Sequence, residues 1–245
     1  MDEPFLTLDT DWAPDFTIDF AADILRRHGV RATWFVTHRS PAVERLRREP
    51  ELFELGIHPN FLPGSTHGDT PQAILKHCLE LVPEAVSVRS HSVVQSSPLI
   101  NTILGCSQFR LDSSLFLPKT PGLRPFPYSW QGRRLLRLPF FWEDDYELHQ
   151  DEPEWELEAL LALGPGLKIF NFHPIHVFLN SRDGVAYAEL KRRAPILQEA
   201  SVDEAAAFTR AGFGAQGTFL ELVQRLEKNG CSLHLSDFAK SRRSP

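Results

Sequence analysis

Nowhere in its 245 residues does the sequence hold a run of about 18 uninterrupted apolar residues, which excludes a hydrophobic membrane-spanning helix. Positive charge is also scarce. Twenty-six Lys and Arg stand against 32 Asp and Glu, a net charge of −6, and the basic residues form no extended cluster, which argues against a nucleic-acid surface. The short RLRR stretch at Arg45 to Arg48 reads as a solvated helix face, and the SRRS tail as a frayed end. Cysteine is limited to Cys78, Cys106 and Cys231, far apart and without CxxC spacing. That excludes a disulfide framework and a thiolate zinc site, and leaves reduced, mostly buried thiols. The first twenty residues are acidic and lack Lys and Arg, unlike a secretory signal, so a cytoplasmic protein is expected. With no repeat, low-complexity tract or linker, residues 1–245 read as a single domain.

What is present is regular alternation. PFLTLD (4–9), ATWFVTH (32–38), ELGIH (54–58), AVSVRSH (85–91), FRLD (109–112), RLLRLPFFW (134–142) and LKIFNFH (167–173) read as strands. Helices fall between most of them, marked by Gly29 as a stop and by Thr70–Pro71 as a cap and first turn. The C-terminal third is predicted to be helical, with a capping box at Ser201 to Glu204 and a last strand in CSLHLSD (231–237). This order predicts an α/β fold with a parallel sheet, open or closed into a barrel.

In such folds ligands bind at the carboxyl ends of the strands. There the first strand offers Asp9 and Asp11, the third His58, the fourth Arg89 and His91, the sixth Glu143, Asp144 and Asp145 after Trp142, and the seventh His173. Asp9 and Asp11 are two residues apart, so both carboxylates can face one cleft, where a cation or a shared proton would relieve their repulsion. On its own the pair fits a solvated turn equally well. The convergence of polar, ligand-type residues from five strands favours a site.

Taken in order, TLDTD, ATWFV, ELGIH, VRSH and IFNFH resemble the NodB-type polysaccharide deacetylases of carbohydrate esterase family 4, over roughly residues 4 to 175. GIHPNF and LPFFWEDD are closest to a divergent branch that includes deacetylase-like proteins of O-antigen gene clusters. The resemblance implies a distorted (β/α)7 barrel and metal-dependent removal of an N-acyl group from a sugar, with zinc the expected ion. It makes Asp9 the general base, Asp11 and His58 metal ligands, Arg89 the partner of the base and His173 the general acid. The family's HxxxH motif would place a second histidine at position 62, which is Leu62 here. His91, on the same face as Arg89 if the strand continues, is the favoured replacement, with Asn60 and His67 as competitors.

Asp144 or Asp145 could orient His173, or the WEDD cluster could be a solvated acidic loop. Pro174 suggests an extended exit from the strand, leaving His176 at the rim. Phe61, Phe126, Tyr128, Trp130, Phe141 and Trp142 are candidate sugar-stacking platforms, or core. A carbohydrate substrate is the expected partner, without nucleic acid or membrane insertion. The alternatives are a metal-free carbohydrate-binding relative and a hydrolase of another C–N bond, such as a formamide, ureide or cyclic amide.

Overall fold

A computed structural model describes residues 4–240. In chain order the elements are β1 (Phe5–Asp9), α1 (Asp15–His28), β2 (Ala32–Val36), α2 (Pro41–Arg47), β3 (Phe53–Ile57), α3 (Pro71–Leu81), β4 (Ser87–Val88), α4 (Ser97–Gly105) and β5 (Leu111–Asp112). A hairpin of β6 (Phe126–Trp130) and β7 (Arg133–Arg137) follows, then β8 (Trp142–Glu143), α5 (Asp144–Glu147), α6 (Leu157–Ala162) and β9 (Ile169–Phe172). The remainder is helical: α7 (Pro174–Leu179), α8 (Val185–Arg193), α9 (Val202–Ala206), α10 (Ala215–Asn229) and α11 (Leu235–Lys240).

Local chemistry sets the helix ends. Ser40, Thr70 and Ser96 cap α2, α3 and α4 by accepting the amide three residues on, each with proline in the first turn. Gly29 closes α1 in the left-handed conformation, which a glycine adopts without a Cβ penalty. Strands β1 and β2 are buried at every position, as a parallel sheet covered on both faces requires.

The sheet order is β6-β7-β5-β4-β3-β2-β1-β9-β8, and every neighbouring pair is parallel except β6 with β7. Its two ends are joined by one stretch of chain. Leu138 N and Phe140 N donate to Asp112 O and Leu115 O on one side, and Phe141 N donates to Ile169 O on the other. Residues 133–143 therefore curl the sheet into the distorted barrel. The sequence suggests a single strand here, but Pro139 cannot donate to a ladder, and the stretch divides into β7 and β8.

The main core fills the barrel and the space beneath α1, α3, α4 and α10. A smaller cluster of Ile175, Leu179, Leu190, Leu197 and Ala205 joins α7, α8 and α9 beside the mouth of the barrel. The strand expected over 231–237 does not form. β2 already pairs on both edges with β1 and β3, so no ladder is open there, and Leu235 begins α11 with its N–H donating to Thr33 Oγ1. Cys78 is buried, Cys106 and Cys231 half-buried, and all three are free thiols.

One contact in β3 leaves no room for growth. A Cβ at Gly56 would lie 2.6 Å from Ser87 Oγ and 2.8 Å from the Phe35 ring. Gly56→Ala is expected to destabilise the fold by about 1–3 kcal/mol, as overpacked cores do, read from the midpoint of urea unfolding. An unchanged midpoint would show that Phe35 yields at no cost.

Candidate active site

Because the strands beside the site run parallel, the residues that follow them emerge at one mouth. Asp9 ends β1, His58 follows β3, Arg89 follows β4, Glu143 ends β8 and His173 follows β9. The short β4 hides a longer pairing. Arg89 N donates to Ile57 O and His91 N to Pro59 O, so the alternation that places Arg89 carries on to His91. Ser92 and Val93 then turn the chain away in left-handed conformations.

Asp11 reaches the mouth by a different route. Asp11 and Trp12 have φ of 39° and 54°, two successive left-handed residues without a glycine. Such geometry costs about 1–2 kcal/mol per residue and persists only where neighbours enforce it. Thr10 and Thr37 supply that enforcement: their hydroxyls lie 3.0 Å apart, Thr37 N donates to Thr10 Oγ1, and Trp12 N donates to Thr37 Oγ1.

Three ligand-type groups meet here. Asp11 Oδ1 lies 3.1 Å from both His58 Nε2 and His91 Nδ1, and the three donor atoms are within 4.8 Å of one another. His58 Nδ1 is 2.7 Å from Arg89 O, a backbone acceptor, so it carries the hydrogen and Nε2 presents a lone pair. That Nε2 is buried and makes no well-aligned hydrogen bond, its nearest polar neighbours being carboxylate oxygens of Asp11 at 3.1 Å and Asp9 at 3.5 Å. Two imidazoles and a carboxylate with one such buried nitrogen fit a divalent ion such as zinc. Burial disfavours a charged His58, but Asp9 and Asp11 outweigh it and raise its pKa. For Asp11 burial favours the neutral acid, yet His58 and the bonds from His173, His58 and His91 hold its pKa well below the usual carboxylate range.

A second group adjoins the first. Ligand atoms of Asp9, Glu143 and His173 also lie within 4.8 Å of one another. Arg89 Nη1 donates to Asp9 Oδ1 and Thr7 Oγ1 at 3.0 Å and closely to Asn171 Oδ1, while Nε and Nη2 donate to Ser113 O and Oγ. Its guanidinium lies between the Phe35 and Phe140 rings, 4.4 and 4.6 Å from their centroids. Asn171 Nδ2 donates to Asp9 Oδ2 at 2.9 Å and to Glu143 Oε1 at 3.0 Å. Burial pushes the Glu143 carboxyl up to about 7 against the pull of His173, with Asp9 adding to the rise.

His173 is held from behind by Asp144, which is buried. Asp144 Oδ2 accepts the His173 amide at 2.8 Å and Oδ1 lies 2.7 Å from Nδ1, leaving Nε2 3.4 Å from Asp11 Oδ2. Burial opposes the imidazolium, but Asp144 and Asp11 hold its pKa well above the ordinary value. Asp145 faces His176 instead, at 3.5 Å.

Several expectations are corrected. Pro174 begins α7, the helix position where a missing N–H costs nothing, so the exit after His173 is helical. His176 is therefore buried behind His173 and bonded to Ser181, not at the rim. His67 is buried between Trp12 and His77, and burial followed by His77 lowers its pKa to about 4. It does not join the ligand cluster. Asn60, the other competitor, lines the same cavity as Asp11 and His91. Phe141 and Trp142 are core, and Trp130 lines a separate groove between α3 and α4. Trp12, packed on His67 and His91, and Tyr187 are aromatic residues that line the mouth. Glu143 lay within the acidic WEDD cluster that the sequence marks. Asn171 left only its place two residues before His173, on the same strand face.

A curled parallel sheet whose carboxyl ends gather carboxylates, imidazoles and one buried guanidinium defines a polysaccharide deacetylase-type fold. The chain belongs to the WbmS-like polysaccharide deacetylase family, whose model matches residues 6–191. A crystal structure of WbmS from Bordetella bronchiseptica, described as a proposed polysaccharide deacetylase involved in O-antigen biosynthesis, is 34% identical. The match covers 91% of this chain and 90% of that one, with a TM-score of 0.76. The peptidoglycan deacetylase PdaC from Bacillus subtilis shares the fold at 12% identity and a TM-score of 0.51, covering 98% and 91% of the two chains. No curated protein matches the chain. Among the described residues no helix is long and apolar enough to cross a membrane.

Removing one partner of the Arg89–Asp9 pair leaves the other charge buried alone. Arg89→Met is expected to cost about 3–5 kcal/mol in urea unfolding. Much of that loss should return in the Asp9→Asn/Arg89→Met double variant, which no longer buries an uncompensated carboxylate. Strictly additive losses would refute the pairing as the main role of Arg89.

Proposed function

We propose that the chain is a metal-dependent hydrolase that removes an N-acetyl group from a sugar of a surface-polysaccharide precursor in the cytoplasm, with residues 1–245 acting as one catalytic domain. The observation that carries this reading is the gathering of Asp11, His58 and His91 donor atoms within 4.8 Å, beside the Asp9–Arg89 and His173–Asp144 pairs. Membership of a polysaccharide deacetylase family and the likeness to WbmS support it.

Asp11, His58 and His91 are the residues that would hold a divalent ion. When bound, that ion supplies Lewis acidity to an acyl carbonyl and acidifies a water. Asp9 takes the proton of the attacking water, its two carboxylate oxygens held in place at the cleft by Arg89 and Asn171. His173 Nε2 delivers a proton to the departing amine, which leaves poorly unless protonated. Asp144 fixes that ring by its Nδ1 and amide together. Glu143, pushed up to about 7, carries a proton much of the time near neutrality and so spares Asp9 a second full negative charge.

Two tests follow from these roles. Purified protein should carry a stoichiometric divalent metal, lost in His58→Ala and His91→Ala, and should release acetate from an N-acetyl sugar. Asp9→Asn should lower turnover by about 10²–10⁴-fold with the metal retained. A metal-free wild type, or full activity in His58→Ala, would sink the reading. The second test is a pH profile. His173 works protonated, and its pKa is raised, so activity persists through neutral pH and is lost as pH climbs through that raised value. Asp144→Asn removes the leading cause of the rise and should move the alkaline limb to lower pH. An unmoved limb would take the acid role from His173.

A further inference from the structure

A cavity of about 460 Å³ opens beside Asp11 and His91, within the size range of small-ligand sites. Trp12 forms one side. The opposite wall comes from α8 and the segment after it, with Tyr187, Lys191 and Ile196.

Three successive cations, Lys191, Arg192 and Arg193, end α8, and they are used differently. Arg192 lies 3.5 Å from Glu189, and Arg193 sits over the Phe208 ring at 5.7 Å. Lys191 alone lines the cavity, its ammonium 5.3 Å from the centroid of Tyr187, one helical turn earlier and itself in the wall. No ion pair of Lys191 is found among the described residues. The carboxylates of this region have partners: Glu189 faces Arg192, and Asp145 lies 3.5 Å from His176 Nε2. Lys191 is also the only Lys or Arg among the cavity's lining residues. A neutral sugar gives an ammonium no charged partner, whereas an anionic one does.

We propose that Lys191 is a specificity residue that binds the anionic group of an acidic N-acetyl sugar, either a carboxylate on the ring or a phosphate attached to it, while the acyl group lies at the Asp11 end. This rests on the deacetylase reading for the placement of the acyl group. The recognition of an anion at Lys191 can be tested without it.

Calorimetric titrations would use the His173→Ala chain stripped of metal by chelator, in which turnover is suppressed, with three ligands: N-acetylglucosamine, N-acetylglucosaminuronate and N-acetylglucosamine 1-phosphate. At least one anionic ligand should bind about tenfold tighter than the neutral sugar, as a charge-assisted contact supplies. Adding Lys191→Met should abolish that advantage. An advantage confined to the uronate identifies a ring carboxylate, and one confined to the phosphate identifies a phosphosugar. Equal binding of all three, binding of none, or an advantage that survives Lys191→Met would overturn the proposal. Acetate release by the wild-type chain is followed separately. If none is released while the anion preference holds, the deacetylase reading fails and the anion site stands.

Discussion

Arg89 is the side chain on which this barrel depends. Its guanidinium is almost wholly buried, a state that costs several kcal/mol unless every donor is met. Here the donors reach Asp9 and Thr7 on β1, Asn171 on β9 and Ser113 just beyond β5, and the two flat faces meet Phe35 and Phe140. Strands far apart in sequence are thus tied through one planar ion in the barrel's interior. Lysine could not take its place, because a point charge cannot bond in several directions in one plane while stacking on two rings. The same tie fixes Asp9, so the framework and the proposed base share one device.

Neighbouring parts of the site are linked in the same way. Arg89 O receives the His58 Nδ1 hydrogen, so the residue that holds Asp9 also sets the tautomer of His58. Asn171 bridges Asp9 to Glu143, and Asp144, next in sequence, holds His173. A disturbance at any of these residues therefore reaches both the Asp11–His58–His91 cluster and the Asp9–Arg89 and His173–Asp144 pairs. The site behaves as one network of short contacts.

Much of this was legible in the sequence because buried parallel strands are nearly continuous apolar runs, and polar residues at their ends stand out against them. Asp9, Asp11, His58, Arg89, His91 and His173 all fall at such ends, and all lie at one mouth. What escaped depended on tertiary context. Pro174 favours an extended exit locally, but His173 N is capped by Asp144 from another element, and the proline starts a helix. The segment at 231–237 has a strand's composition, but no open edge received it. Asn171 looks like any polar residue in a strand until Asp9, Arg89 and Glu143 surround it. The wall carrying Tyr187 and Lys191 belongs to the C-terminal helices, in which the sequence offers no motif, and the packing of α7, α8 and α9 brings it to the mouth.

The left-handed pair at Asp11 and Trp12 bears on how this protein can change. A search for more stable variants that ignored function would single out these two positions, since glycine relieves the backbone at both. Yet this awkward turn is what directs the Asp11 carboxylate toward His58 and His91 and sets Trp12 against the cavity. Stability and site geometry therefore pull in opposite directions at two adjacent residues. Improvement by selection for robustness alone would begin by dismantling the turn that gathers Asp11, His58 and His91.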